Sequence, residues 1–122
     1  MGGVVTLRRA ECAVLSLVLE GRWYDMIASG AKREEYRAAT RYWAVRLANW
    51  DMCQGVPVVE FRRGYGRGAP RMARWVFGQS TRSGMRCYAS LPAGSHPEWG
   101  EPAGEHFRIC LGGAVEFEGG CA

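Results

Sequence analysis

The chain has 122 residues, 48% of them hydrophobic and 23% charged, which is the composition of one globular domain able to bury a core and without room for a second. Its longest apolar segment, Ala13 to Leu19, is broken by Ser16 and ends at Glu20, well short of the roughly 20 residues a membrane helix needs. No cleavable leader pattern precedes it, so a cytoplasmic setting without membrane contact is expected. The net charge of +4 is carried almost wholly by arginine, since Lys32 is the one lysine among 16 basic residues, and guanidinium groups suit phosphate contacts and stacking on bases.

The first twelve residues read as a loose lead-in with a short extended piece at Val4 to Leu7. From Ala13, Leu15, Leu17 and Leu19 alternate with Ser16, Val18 and Glu20, the period-two pattern of a strand, and its two mostly apolar faces predict a central place in a sheet. Gly21 ends the strand. Trp23, Met26 and Ile27 then share one stripe of a helix over Trp23 to Ser29, which Gly30 closes as a C-terminal cap. Beyond the cap, a loop leads into a strand over Glu34 to Arg37, with Glu35 and Arg37 on one face and Glu34 and Tyr36 on the other. Thr40 caps a second helix, Arg41 to Trp50, whose buried stripe is Trp43, Leu47 and Trp50 while Arg41 and Arg46 face outward.

Val56 to Phe61 reads as a strand. The run Arg62 to Arg71 holds too many glycines for a strand or helix interior and too many guanidinium groups for a plain turn, so it is expected to be a binding loop. Met72 to Gly78 is another strand, with Met85 to Tyr88 as its hairpin partner across Gln79 to Gly84. Ser90 to Gly104 is irregular. Phe107, Ile109 and Leu111 alternate with His106, Arg108 and Cys110 in a half-buried strand, and Gly112 and Gly113 separate it from a last short strand, Val115 to Glu118. About six short strands, with both helices among the first of them, argue against βαβ units. They predict an α+β fold, a small, mostly antiparallel barrel with two helices packed at its side, whose closure removes exposed edges.

The chemistry gathers in Gly30 to Arg37. An ammonium loses its proton readily on burial and can serve as base or nucleophile where a guanidinium cannot, so a lone lysine among arginines points to a role for Lys32. Against that stands chance within an arginine-biased composition. Lys32 and Glu35 are three apart and can form a buried ion pair, either a general acid and base for water attack on an amide or phosphodiester, or a fastening of the loop. Arg37 beside Glu35 admits the same two readings. Tyr36 and Tyr65 can stack on a base, and Trp43 can wall a cleft, although its stripe with Leu47 and Trp50 equally makes it core. Arg62, Arg63, Arg67 and Arg71 offer phosphate contacts. Cysteines at 12, 53, 87, 110 and 121 contain no C-x-x-C pair, and His96 and His106 have no ligand-spaced partner, so reduced thiols, no metal and no cofactor are expected. No serine or cysteine stands in a nucleophile-elbow context.

Taken together, Trp23-Tyr24-Asp25-Met26-Ile27 and the residues Gly30, Lys32, Glu35 and Arg37 resemble the G-x-K-x-x-E-x-R signature of ASCH domains, a branch of the PUA-like superfamily. Phe61-Arg62-Arg63-Gly64-Tyr65-Gly66, Ala69-Pro70-Arg71-Met72 and Pro97-Glu98-Trp99-Gly100 resemble a bacterial and phage subgroup. The resemblance spans Ala13 to Val115 and implies an ASCH domain over residues 13–118, between a lead-in of residues 1–12 and a tail of residues 119–122. It also implies a PUA-like β-barrel with a cleft beside the first helix that binds RNA, a nucleotide or a nucleoside. Some ASCH proteins are hydrolases: one branch removes acyl groups from modified cytidine, and ribonuclease activity has been ascribed to another. In the first of these a threonine stands three positions after the motif lysine. Glu35 occupies that place here, which removes the hydroxyl nucleophile. The expectation is therefore an RNA- or nucleotide-binding module, with hydrolysis through Lys32 and Glu35, or docking to a protein partner, as alternatives.

Overall fold

The computed structural model describes residues 3–119. Gly2 in the lead-in, Cys121 and the rest of the expected tail beyond residue 119 lie outside the described residues. Strand β1 (Val5–Leu7) and a 3-10 turn lead into β2 (Cys12–Leu19), and α1 (Gly21–Ser29), β3 (Glu34–Ala38) and α2 (Arg41–Met52) follow. Then come β4 (Val56–Arg63), β5 (Arg71–Val76), β6 (Gln79–Thr81), β7 (Gly84–Arg86), β8 (Ala89–Leu91) and, after a 3-10 turn at Pro97–Trp99, the long β9 (His106–Phe117). The class is α+β, and none of these helices is long and apolar enough to cross a membrane.

Local chemistry accounts for both helices. In α1, Tyr24 and Ile27 are buried, and Gly30 takes φ 86°, a left-handed turn that suits glycine and lets its N–H reach the Ile27 carbonyl. The Arg74 guanidinium donates to the Ile27 and Ala28 carbonyls at 3.0 and 3.4 Å, satisfying acceptors that a helix end leaves open. In α2, Thr40 Oγ1 accepts the Trp43 N–H at 3.3 Å, and Leu47 and Trp50 fill the core. Trp43 is only half-buried. Arg46, expected to face outward, is half-buried as well, because its guanidinium turns back to the Ser16 carbonyl.

Seven strands form one sheet in the order β1-β9-β5-β4-β2, with β3 and β8 also paired to β9, while β6 and β7 make a separate hairpin. The sheet is mixed, since β1 with β9 and β2 with β4 run parallel and the other ladders antiparallel. The crossover from β2 through α1, β3 and α2 thus does return to a parallel neighbour, contrary to the expectation from helix placement. Nor does the sheet close into a barrel. Strand β2 pairs with β4 alone, at the end of the order and not at its centre, and its other edge is met by side chains. Arg46 and Arg37 donate to the carbonyls of Ser16 and Val18 at 3.0 and 3.4 Å, which covers that edge without another strand, and Trp50 Nε1 donates to the Ala13 carbonyl at 2.9 Å.

Leu15, Leu17, Ile27, Leu47, Phe61 and Ile109 form the main core between sheet and helices, and Val58, Ala73 and Val115 a smaller cluster on the opposite face. Each of these side chains larger than that of Ala73 contributes about 1.5–3 kcal/mol of transfer free energy. Three sequence expectations fail in the second half. Met85 to Tyr88 does not pair with β5, because β5 lies between β4 and β9 and the β6–β7 hairpin closes on itself. Ala89–Leu91, within the stretch read as irregular, pairs with β9. Gly112 and Gly113 do not interrupt β9. They make room for Trp75, whose ring passes so close that a Cβ on Gly112 would sit 2.3 Å from it. Gly112→Ala is therefore expected to cost about 1–3 kcal/mol by overpacking. Gly113→Ala, whose Cβ would come no nearer than 3.1 Å to the indole nitrogen, should cost less in the same thermal denaturation series.

Candidate functional site

The cap at Gly30 reverses the chain, and Lys32 N–H closes the reversal on the Met26 carbonyl at 3.0 Å. The Lys32 side chain then runs inward and is 2% exposed. Its ammonium donates to the Trp99 carbonyl at 2.6 Å, stands 3.5 Å from Glu35 Oε1, and lies 4.4 and 5.3 Å from the ring centres of Tyr36 and Trp23. Glu35, also buried, accepts from the Arg37 guanidinium through Oε2 at 2.6 Å. The alternation expected of β3 holds, for Tyr36 donates to Glu34 at 2.8 Å while Glu35 and Arg37 pair with each other.

These groups line a cleft of about 210 Å³, walled by Trp23, Trp99 and Gly100 and by the end of β2 at Val18 and Leu19. Lys32 and Arg37 face Glu35 and Glu20 across its polar side, so two cations and two carboxylates balance there. Burial pushes the Lys32 ammonium below its ordinary value, and the Glu35 carboxylate partly restores it. Burial and the hydrogen bond to Glu34 raise the Tyr36 phenol, so it stays protonated. Arg37 lines the cleft and keeps a buried Nε–H without a hydrogen-bond partner. The Cys87 thiol is pushed up to about 12 by burial and by Asp51, and burial raises Cys110, so neither is a thiolate nucleophile at neutral pH.

A second buried pair, which spacing could not reveal, holds the cleft's far wall. Glu101 accepts the N–H groups of Ser95 and His96 through Oε1, both at 2.8 Å, and meets His106 Nε2 through Oε2 at 2.7 Å. His106 Nδ1 reaches the Gly104 carbonyl at 2.7 Å, and the ring sits edge-on to Tyr36 at 5.6 Å. His106 is 0% exposed, contrary to its expected place on the solvent side of the strand. Glu101 thereby folds the Ser95–Gly100 turn from within and presents Trp99 to Lys32. Gly100, at φ 82°, lies so close to Trp23 that a Cβ there would come within 2.8 Å of the indole.

The Glu101 carboxyl is raised by burial, but the N–H groups of Ser95 and His96 and the His106 ring outweigh this and hold it below the usual carboxylate range. In the unfolded chain the group takes up a proton near pH ~4.3, in the folded chain only at lower pH. Its stabilisation is complete above ~4.3 and lost as pH falls through the folded value. Glu101→Gln is accordingly expected to flatten the acid limb of a stability-against-pH curve, and an unchanged limb would refute this role.

Of the expected site residues, Lys32, Glu35, Tyr36 and Arg37 converge on the cleft. Trp43 stands behind it, its ring under the guanidinium groups of Arg37 and Arg46 at 4.8 and 5.0 Å. Arg62 spends donors on the Tyr65 and Gly66 carbonyls of its own loop, and Arg63 is paired with Asp25 on α1. Tyr65 is 84% exposed. Arg71 is exposed on a separate shallow hollow beside Ser16 and Glu60. The loop touches the cleft's wall through Gly64 N–H, which donates to the Leu19 carbonyl at 2.8 Å. Trp23, read only as a core residue, and Trp99 are the walls that sequence reasoning missed. No family model, no curated protein and no solved structure matches the chain.

Proposed function

We propose that the cleft takes a single nucleobase, presented by a nucleotide or by single-stranded RNA, and that the chain is an ASCH-type binding module of PUA-like descent. The observation that carries this reading is the 2.6 Å bond from Lys32 to the Trp99 carbonyl. It joins two of the sequence blocks on which the resemblance rests into one recess. Size agrees with the reading: about 210 Å³ is less than the ~300–1,000 Å³ of pockets that engulf larger ligands, and suits one planar ring system. So does chemistry, because two indoles and a phenol supply faces for stacking, while Arg37 supplies a donor and Glu35 an acceptor for a base edge.

One observation favours hydrolysis as a second reading, the lowered Lys32 ammonium beside a buried carboxylate. Yet Lys32 is already committed to a backbone carbonyl, which ranks binding first. Incubation with a panel of modified nucleosides and short RNAs, read by calorimetry and mass spectrometry, separates the two. Binding without any product is the expected result, and no binding of any panel member refutes the proposal. If product forms, Lys32→Arg should slow turnover by about 10²–10⁴-fold, as removal of a general acid or base does.

A further inference from the structure

The β6–β7 hairpin stands off the main sheet and, with β8, walls a groove of about 540 Å³ that plays no part in the cleft. Arg82, Arg86 and Arg108 line it together with Ser83, Ser90 and Tyr88, and no carboxylate does. Arg108 is fixed in advance. Its Nε and one terminal nitrogen donate to Gln79 Oε1 at 3.0 and 2.7 Å, and the buried Gln79 returns a bond to the Arg108 carbonyl at 3.0 Å. That clamp leaves the rest of the guanidinium fork for an anion. Arg82 and Arg86 are exposed, Arg86 with a 3.3 Å bond to the Met85 carbonyl and a long contact of 3.5 Å to Asp51.

We infer that this groove holds the phosphodiester backbone of the RNA strand whose base enters the cleft, an inference that rests on the base-binding reading for its ligand. Arg108 is the direct ladder partner of Tyr36, which lines the cleft. Paired residues on neighbouring antiparallel strands lie about 4.5–5.5 Å apart at Cα, so Arg108 of the groove stands beside Tyr36 of the cleft. Proteins that hold single strands combine these two parts, an aromatic surface for a base and a basic track for the backbone. Groove hydroxyls add neutral donors to phosphate oxygens, as is common in such interfaces.

The test measures binding of a fluorescein-labelled, random-sequence hexaribonucleotide at several salt concentrations, and separately of the four free nucleosides. The proteins are the unmodified chain and the Arg82→Ala/Arg86→Ala double variant, whose changes are both on exposed side chains. The variant is expected to bind the RNA more weakly, with the log–log salt slope reduced by about 0.7 for each arginine lost, and to bind nucleosides unchanged. Unchanged RNA affinity and slope would overturn the groove. If no nucleoside binds the unmodified chain while RNA binding still falls in the variant, the base-binding reading fails and the groove stands. Displacement of the RNA by a polyglutamate peptide at equal charge would overturn the assignment to nucleic acid.

Discussion

Replacing Glu35 by alanine is expected to destabilise the protein by about 3–5 kcal/mol, because it strands two cations, one of them 2% exposed, without a counter-charge. Lys32→Ala should cost less, since Glu35 would keep the Arg37 guanidinium at 2.6 Å. This order follows from the carboxylate's place between the two cations, and chemical denaturation of the two variants checks it. A reversed order, or a Glu35→Ala variant as stable as the parent, would show that the trio is not coupled as its distances suggest. A third variant separates stability from use. Replacing a buried ion pair by apolar side chains of similar size is often neutral or stabilising, so Lys32→Met/Glu35→Leu is expected to recover most of the lost stability. It should nonetheless fail to bind a base, having lost the charges that orient it.

The second large effect is expected at His106, far from Lys32 in sequence. His106→Ala removes a fully buried ring from between Glu101 and Tyr36, leaves the carboxylate without one of its three partners and opens a cavity, again with a cost of about 3–5 kcal/mol. Because Glu101 also receives the Ser95 and His96 N–H groups, the same change should loosen the turn that carries Trp99. Amide exchange at Ser95 and His96 should accelerate beyond what global stability explains. Glu98→Ala, on the exposed side of the same turn, is the control and is expected to leave both stability and exchange unchanged. Equal behaviour of the two variants would remove the positioning role from His106.

The legible parts of this chain are those whose signals are local. Period-two alternation gave β2 and the two faces of β3, and the Gly30 and Thr40 caps marked the ends of the helices where the structure has them. What escaped depends on partners distant in sequence. Gly112 and Gly113 read as a break because their neighbour Trp75 is brought there by a different strand. His106 read as the polar member of an alternating strand because nothing in the spacing of residues 101 and 106 announces a buried pair. The barrel was inferred from the number and order of strands and helices, and the edge its closure would have hidden is met by Arg46 and Arg37 instead. At the site, the compact motif from Gly30 to Arg37 was visible from its local spacing and its lone lysine, whereas Trp99 reaches it through a bond spanning 67 positions.

Tryptophan indole N–H signals give the most direct access to the cleft, since the chain's 5 tryptophans stand in different surroundings. Trp23 and Trp99 wall the cleft, Trp43 lies behind Arg37, Trp75 stands at the Gly112 crossing, and Trp50 is locked to the Ala13 carbonyl in the core. In a heteronuclear NMR titration with the nucleosides, the indole signals of Trp23 and Trp99 are expected to shift saturably while those of Trp50 and Trp75 stay fixed. Saturable shifts confined to Trp75, or no shift at Trp23 and Trp99 with any nucleoside or short RNA, would contradict a base-binding cleft at Lys32.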